Sequence, residues 1–483
     1  MQGQLLQTPG RLLTGKGGSM LLLSLRRMRP WASRASPAST SMTYSTGKGN
    51  MKMKMPNMPE PKSSIPLATP TRNTSTFTST STSTSTSPTK VGVYAGGVEM
   101  PFTSTLRIVD PEKLPVWPVY RVLDQDGSVR ADAVEPDLSE ELVLKIYGNM
   151  VRLEAMDDIF YNAQRQGRIS FYLQSAGEEA LQMGGAAALE LEDMAFTQYR
   201  EPGILMWRDF GMQSFADQCL SNISDLGKGR QMPVHYGSKD LHYQTVSSPL
   251  GTQIPQAVGA GYALKLSKKE NIAVCYFGDG AASEGDFHAA LGMAATRDVP
   301  VLFVCRNNGY AISTSVRDQY RGDGIVSRAP GYGMHGIRVD GNDALAVYAA
   351  TTEARKLCLS QNKPVLLEVM TYRLGHHSTS DDWSRYRSSN EVKQWKTDHH
   401  PIRRFCAYLE GKGWWDGSKD RELRDKERLA VRNALETAER KAKPAMESMF
   451  EDVYKAVPRH LQEQKKHLHS HLARHAGRYN GKG

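Results

Sequence analysis

The first 59 residues contain no aspartate or glutamate, and all 483 residues include only five cysteines and no long apolar run. Each shortage excludes something. A membrane helix needs roughly 18 or more consecutive apolar residues, and no stretch supplies them, so no membrane insertion is expected. Cys219, Cys275, Cys305, Cys358 and Cys406 are scattered with no C-x-x-C pair. That rules out a disulfide framework and a zinc knuckle, and it fits a reducing compartment. Cys275 and Cys305 lie in apolar runs and are expected to be small buried hydrophobes. There is no Walker A sequence. Gly259-Ala260-Gly261 begins like a dinucleotide fingerprint but lacks the third small residue and follows no expected strand.

The formal net charge is +10, which invites a nucleic-acid reading. Residues 1–98, however, hold twelve Lys or Arg against the single acid Glu60, a balance of +11, so the rest sums to −1. The positive excess belongs to the N-terminal segment, and nucleic acid is set aside. Arg11, Arg26, Arg27, Arg29 and Arg34 with Leu21, Leu22, Leu23 and Leu25 make an acid-free, Arg-rich start. Such a start predicts a mitochondrial transit peptide over residues 1–60 and a matrix location. Residues 61–100, with alternating Ser and Thr over 74–87, are expected to be a disordered linker.

The body reads as a domain over residues 101–420, with a Pro-rich arm over 101–136 and a charged helical extension over 421–483. Leu142, Ile146, Met150, Leu153, Met156 and Phe160 have helical spacing within Glu140–Arg168, and Glu178–Leu189 reads as a second helix. Alternation follows: strand Ile272–Phe277, helix Glu284–Thr296, strand Val301–Cys305, loop Asn307–Tyr310, strand Gly336–Val339, helix Asp343–Gln361 and strand Val365–Tyr372. Near-continuous apolar strands alternating with helices predict an α/β fold: a mostly parallel sheet covered by helices on both faces. Ligands of such sheets bind at the carboxyl ends of the strands. His467, His471 and His475 recur every four residues on one helix face and read as a solvated helix end, since no cysteine or carboxylate completes a metal set.

Two polar loops leave that carboxyl edge. Gly278-Asp279-Gly280 and Asn307-Asn308-Gly309-Tyr310 are separated by 26 residues, one helix and one strand. Asp279 offers a hard carboxylate oxygen, Asn308 an amide oxygen and Tyr310 a backbone carbonyl, as magnesium beside a phosphate requires. Gly278 and Gly280 let the backbone approach that phosphate.

GDGAASEGD followed by RNNGYAIST resembles the thiamine-diphosphate motif of two-subunit 2-oxo acid dehydrogenases. The likeness runs from about Arg152 to about Trp415 through ISFYLQSAGEEA, QYREPG, NISDLGKGRQMPVHYG, SSPLGTQIPQAVG, YRGDGI and YRLGHHSTSDD. It is most similar to the branched-chain alpha subunits, with pyruvate or acetoin relatives second. A non-catalytic scaffold subunit and a nicotinamide oxidoreductase are the rival classes; the last lacks its fingerprint.

The resemblance implies that Asp279, Asn308 and Tyr310 hold magnesium. It implies that Tyr199, Arg200, Ser248, Leu250, Gly278, Gly280, Ala281, Arg306 and His377 bind the cofactor, with His377 also catalytic. Ser247, Pro249, Thr252 and Gln253 match the family's potassium turn; from the residues alone they read as a Ser-Pro loop before a helix. Ser378 and Ser388 match serines that a dedicated kinase phosphorylates and a phosphatase restores. Phosphate there would bring nearly two charges beside a diphosphate site, and even two unit charges about 4 Å apart repel by roughly 4 kcal/mol at an effective dielectric of 20. The glutamate that activates thiamine lies on the family's beta subunit, so an alpha-two beta-two heterotetramer is expected, passing its acyl group to a lipoyl-bearing transacylase core.

Overall fold

The computed structural model describes residues 91–94 and 96–479. The expected address segment and the linker up to residue 90 lie outside the described residues. Among the described residues, those up to Phe102 and those from Thr103 onward belong to two separate units. In the first, strand β1 (Val91–Tyr94) pairs antiparallel with β2 (Val98–Pro101). Gly96 and Gly97 turn the chain with φ of 84° and 76°, a left-handed pair that glycine adopts without a Cβ penalty. The end of the segment expected to be disordered is therefore a hairpin.

The second unit begins with the extended arm and continues through α1 (Glu140–Arg165), α2 (Glu179–Ala187), β3 (Met194–Phe196), α3 (Pro202–Trp207) and α4 (Met212–Cys219). Next come α5 (Gln253–Leu266), β4 (Ala273–Gly278), α6 (Gly285–Thr296), β5 (Val301–Asn307) and a small hairpin of β6 (Tyr310–Ala311) with β7 (Thr314–Ser315). The chain then runs through α7 (Val316–Gln319), α8 (Ala329–Tyr332), β8 (His335–Asp340), α9 (Ala344–Gln361) and β9 (Val365–Met370). It closes with α10 (Ser389–Asp398), α11 (Pro401–Gly411), α12 (Gly417–Glu439), α13 (Arg459–Arg474) and α14 (Ala476–Tyr479).

Five strands form one sheet in the order β3-β4-β5-β9-β8, every pair parallel. This is the α/β class expected from the alternating pattern. The strands' two-residue period divides their side chains between two cores. Val274, Tyr276, Leu302 and Val304 face the core shared with α1, α2 and α9. Cys275, Phe277, Phe303 and Cys305 face the one shared with α5 and α6. Cys275 and Cys305 are thus core residues, and burial pushes both thiols up.

Helix α1 stops short of the expected Arg168 because Gly167 turns left-handed at φ 77°. Strand β3 is an addition: three residues carry too little pattern to stand out. The arm lies along the free edge of β8, where Tyr120 N–H donates to the Arg338 carbonyl and Asp340 N–H donates to that of Tyr120. Asp343, the N-cap of α9, also accepts from the Val122 and Leu123 amides at 2.7 and 2.6 Å. The expected boundary at residue 420 falls inside α12, whose Val431, Leu435 and Ala438 are buried in the main core. Gly259-Ala260-Gly261 lies within α5; a Cβ at Gly261 would meet Val301 Cγ2 at 2.6 Å, so this glycine serves helix–strand packing.

Candidate active site

The carboxyl ends of β4 and β5 open on a cavity of about 220 Å³. Tyr199, Arg200, Leu250, Gly278, Asp279, Gly280, Ala281, Arg306, Asn308, Tyr310 and His377 all line it. Ser248 does not; its hydroxyl pairs with His235 Nε2 at 2.7 Å. Five further lining residues escaped sequence reasoning: Gln198, Glu284, Ala311, Ile312 and Arg373.

Register explains why the two loops converge. β4 and β5 pair in parallel up to Gly278 opposite Arg306, so Asp279 and Asn308 leave adjacent strand ends together. Asp279 is 1% exposed, and burial raises its carboxyl above the ordinary range, offset in part by Gln319 Nε2, which donates to Oδ2 at 2.9 Å. A buried carboxylate raised by desolvation is stabilised by a bound cation. Asn308 Nδ2 donates to Glu178 Oε1 at 2.7 Å. A carboxylate only accepts, so this bond settles the amide's orientation and turns Oδ1 the other way, where it accepts from Tyr310 N–H at 3.2 Å. Oxygen from Asp279, Asn308 and the Tyr310 backbone is the donor chemistry magnesium takes, so these residues fit that ion.

Arg306, 3% exposed, sets its Nε 2.8 Å from Glu201 Oε1 and 3.2 Å from Glu178 Oε2. Burial alone would lower its pKa, but Glu178 and Glu201 outweigh that and hold it raised. The guanidinium's other end faces the backbone of Gly278, whose absent Cβ would lie 3.3 Å from Nη2. Glu178 thus braces both the Asn307–Tyr310 loop and the arginine. Neither it nor Glu201 was singled out from the sequence, where the only signal is charge inside small and apolar surroundings.

Arg200 is 1% exposed and donates from Nη1 to the Gln174 carbonyl at 2.5 Å and from Nη2 to the His377 carbonyl at 2.9 Å. His377 Nδ1 lies 3.3 Å from Arg200 Nη2 and 3.4 Å from Arg373 Nη1. Guanidinium groups only donate, so Nδ1 is the acceptor and the ring proton sits on Nε2. Burial first, then Arg200 and Arg373, push His377 down to about 3. The imidazole is therefore neutral near pH 7 and offers an N–H donor. Burial and the neighbouring Arg200 also bring Arg373 down to about 10, a cationic cluster suited to an anionic ligand. His376 points elsewhere, stacked on Tyr161 at 6.4 Å.

Ser378 follows His377, and its hydroxyl accepts from Ser380 N–H at 3.2 Å. Ser388 is exposed and caps α10, accepting from Glu391 N–H at 3.1 Å. In the Ser247–Gln253 turn, Thr252 Oγ1 donates to the Pro249 carbonyl at 3.2 Å, and Gln253 Nε2 donates to the Tyr276 carbonyl at 3.1 Å. Among the described residues, no group of three or more His, Cys, Asp or Glu has metal-binding geometry, and no helix is long and apolar enough to cross a membrane.

Residues 147–447 match the family model described as dehydrogenase E1 component. The 2-oxoisovalerate dehydrogenase subunit alpha, mitochondrial, of Homo sapiens is 53% identical over 372 residues, 77% of this chain and 84% of its own. The protein of that name from Caenorhabditis elegans is 52% identical over 376 residues, covering 78% and 87% respectively. The alpha 2 subunit of Arabidopsis thaliana is 51% identical over 369 residues, covering 76% and 78%. Family model and relatives both cover well over half of the sequence, and the chain belongs to the dehydrogenase E1 component family.

Proposed function

We propose that this chain is the alpha subunit of a mitochondrial branched-chain 2-oxo acid dehydrogenase, acting on 3-methyl-2-oxobutanoate, 4-methyl-2-oxopentanoate and 3-methyl-2-oxopentanoate. The observation that carries the reading is the strand-end cavity, where an oxygen-donor corner at Asp279 and Asn308 adjoins Arg200, Arg306 and His377. The names of the relatives support the substrate class and the matrix location.

Asp279, Asn308 and the Tyr310 carbonyl would hold magnesium against the diphosphate of the cofactor. Arg306 and Arg200 supply guanidinium forks for phosphate or carboxylate oxygens. When bound, thiamine diphosphate supplies a carbon nucleophile and an electron sink for the bond that breaks as carbon dioxide leaves. Neutral His377 donates its Nε2 proton in a hydrogen bond to the substrate carboxylate or carbonyl oxygen, steadying charge there. Leu250, at the cavity wall, would support the cofactor between its rings. Potassium would sit in the Ser247–Gln253 turn, on oxygens of Ser247, Pro249, Thr252 and Gln253, tying that turn to the start of α5.

A beta subunit would complete the site in an alpha-two beta-two assembly, which hands its acyl group to a lipoyl-bearing transacylase core. A kinase and phosphatase acting at Ser378 and Ser388 would control access, since phosphate on Ser378 falls next to His377. The test is to co-express the chain from Gly96 onward with a matching beta subunit and follow carbon dioxide release from 3-methyl-2-oxobutanoate and pyruvate. Release that needs thiamine diphosphate and magnesium, and is faster with the branched acid, is the expected result. Faster release from pyruvate would change the substrate and keep the mechanism. No release from a well-formed complex would leave a non-catalytic subunit.

A further inference from the structure

Tyr310 sits in a short, tightly turned stretch of backbone. It follows Gly309, which is left-handed at φ 84°, and starts a strand only two residues long. Its backbone is held by a hairpin of two residue pairs, Tyr310 opposite Ser315 and Ala311 opposite Thr314. Its side chain is anchored as well. The phenol donates to Glu391 Oε1 at 3.0 Å, and the same oxygen accepts from Tyr372 OH at 2.9 Å. Tyr372 follows β9, the neighbour of β5, and stacks on Trp395 at 4.8 Å with planes 4° apart. Arg387 lies over both phenols, 5.6 Å from the Tyr310 ring centroid and 5.2 Å from that of Tyr372. Glu391 is itself held by Ser388, which accepts from its amide at the start of α10.

One carboxylate oxygen therefore ties the loops after two adjacent strands to the first turn of a helix. We propose that Glu391 is a positioning residue for the magnesium corner: by holding the Tyr310 phenol it sets where the Tyr310 carbonyl points. This rests on the magnesium reading given above. Glu391 does not itself touch the cofactor or the ion. Its contribution is preorganisation, so its loss should appear in ion affinity before it appears in the chemical step.

The test uses the full complex with its beta subunit, saturated with thiamine diphosphate. Magnesium is titrated by calorimetry and by near-ultraviolet circular dichroism, where the Tyr372–Trp395 stack reports on the cluster. Glu391→Ala should weaken magnesium binding about tenfold, the scale of one lost charged hydrogen bond, while kcat at saturating magnesium changes far less. Glu391→Gln keeps an oxygen acceptor for both phenols and should restore most of the affinity. Tyr310→Phe removes the same bond from its other end, so the two losses should not add in a double-mutant cycle. Unchanged affinity in Glu391→Ala, or additive losses with Tyr310→Phe, would overturn the proposal. Should Glu391→Ala fail to fold, an unchanged affinity in Tyr310→Phe overturns it equally. A wild-type complex that does not respond to magnesium would refute the magnesium reading instead.

Discussion

A Cβ at Gly280 would lie 2.6 Å from the Ala311 Cβ, closer than two carbons can approach. The φ of Gly280, −62°, suits any residue, so this glycine is required by space and not by backbone freedom. Gly280→Ala should push the β6–β7 hairpin off the cavity at a cost of about 1–3 kcal/mol. Thiamine-diphosphate titration of the complex checks this, and unchanged affinity would show that the hairpin yields without consequence. His377 allows a second prediction. Its folded pKa lies below the unfolded value of 6.5, so the native state binds fewer protons and its contribution to stability is present above that value. That contribution is lost as pH falls from 6.5 towards about 3. His377→Asn should lessen the drop in denaturation midpoint between about pH 7.5 and 5.5. An equal drop in both proteins would mean that other groups dominate acid destabilisation.

Helix α10 begins with Ser388 at the N-cap, its hydroxyl accepting from the Glu391 amide three residues on, while the Glu391 carboxylate turns to Tyr310 and Tyr372. Ser388→Ala should cost about 1 kcal/mol locally, read as faster hydrogen exchange at the Glu391 amide. A phosphate on Ser388 would sit where the helix dipole favours it, on the same first turn as Glu391, so such a modification would be coupled to Glu391. Helix α12 illustrates a different point. It is densely charged, and on composition it reads as an appendage. Yet Leu435 is 1% exposed, Arg152 bonds Glu427 at 2.8 Å, and Tyr147 of α1 bonds Asp420 at 2.5 Å. Leu435→Ala should cost about 2–5 kcal/mol in urea unfolding. A loss below about 1 kcal/mol would restore the view of α12 as an extension.

At the scale of the whole molecule, the arm stands out for what it leaves uncovered. Leu106 is 86% exposed, Ile108 81% and Val116 74%, while Tyr120 to Leu123 are bound to β8 and α9. Apolar residues displayed in a row on an extended segment mark an interaction surface. The double substitution Leu106→Asp and Ile108→Asp should weaken assembly with the beta subunit, seen by gel filtration, and leave the chain's own unfolding midpoint in place. Normal assembly would remove the arm from the interface.

Local information in the sequence determined the class of the fold. Buried parallel strands are nearly uninterrupted apolar runs, so β4, β5 and β9 announce themselves, and the glycines and polar residues after them announce the site. Tertiary structure alone decided what holds that site in place. Glu201 meets Arg306 from 105 residues away and Glu178 meets Asn308 from 130, so no local pattern pairs them. The three residues of β3 become a strand because β4 lies beside them. Helix α12 joins the core because α1 and α4 present apolar faces to its single buried stripe. Residue types disclose which chemistry is available; which groups share a cavity depends on contacts between distant segments that only the folded chain brings together.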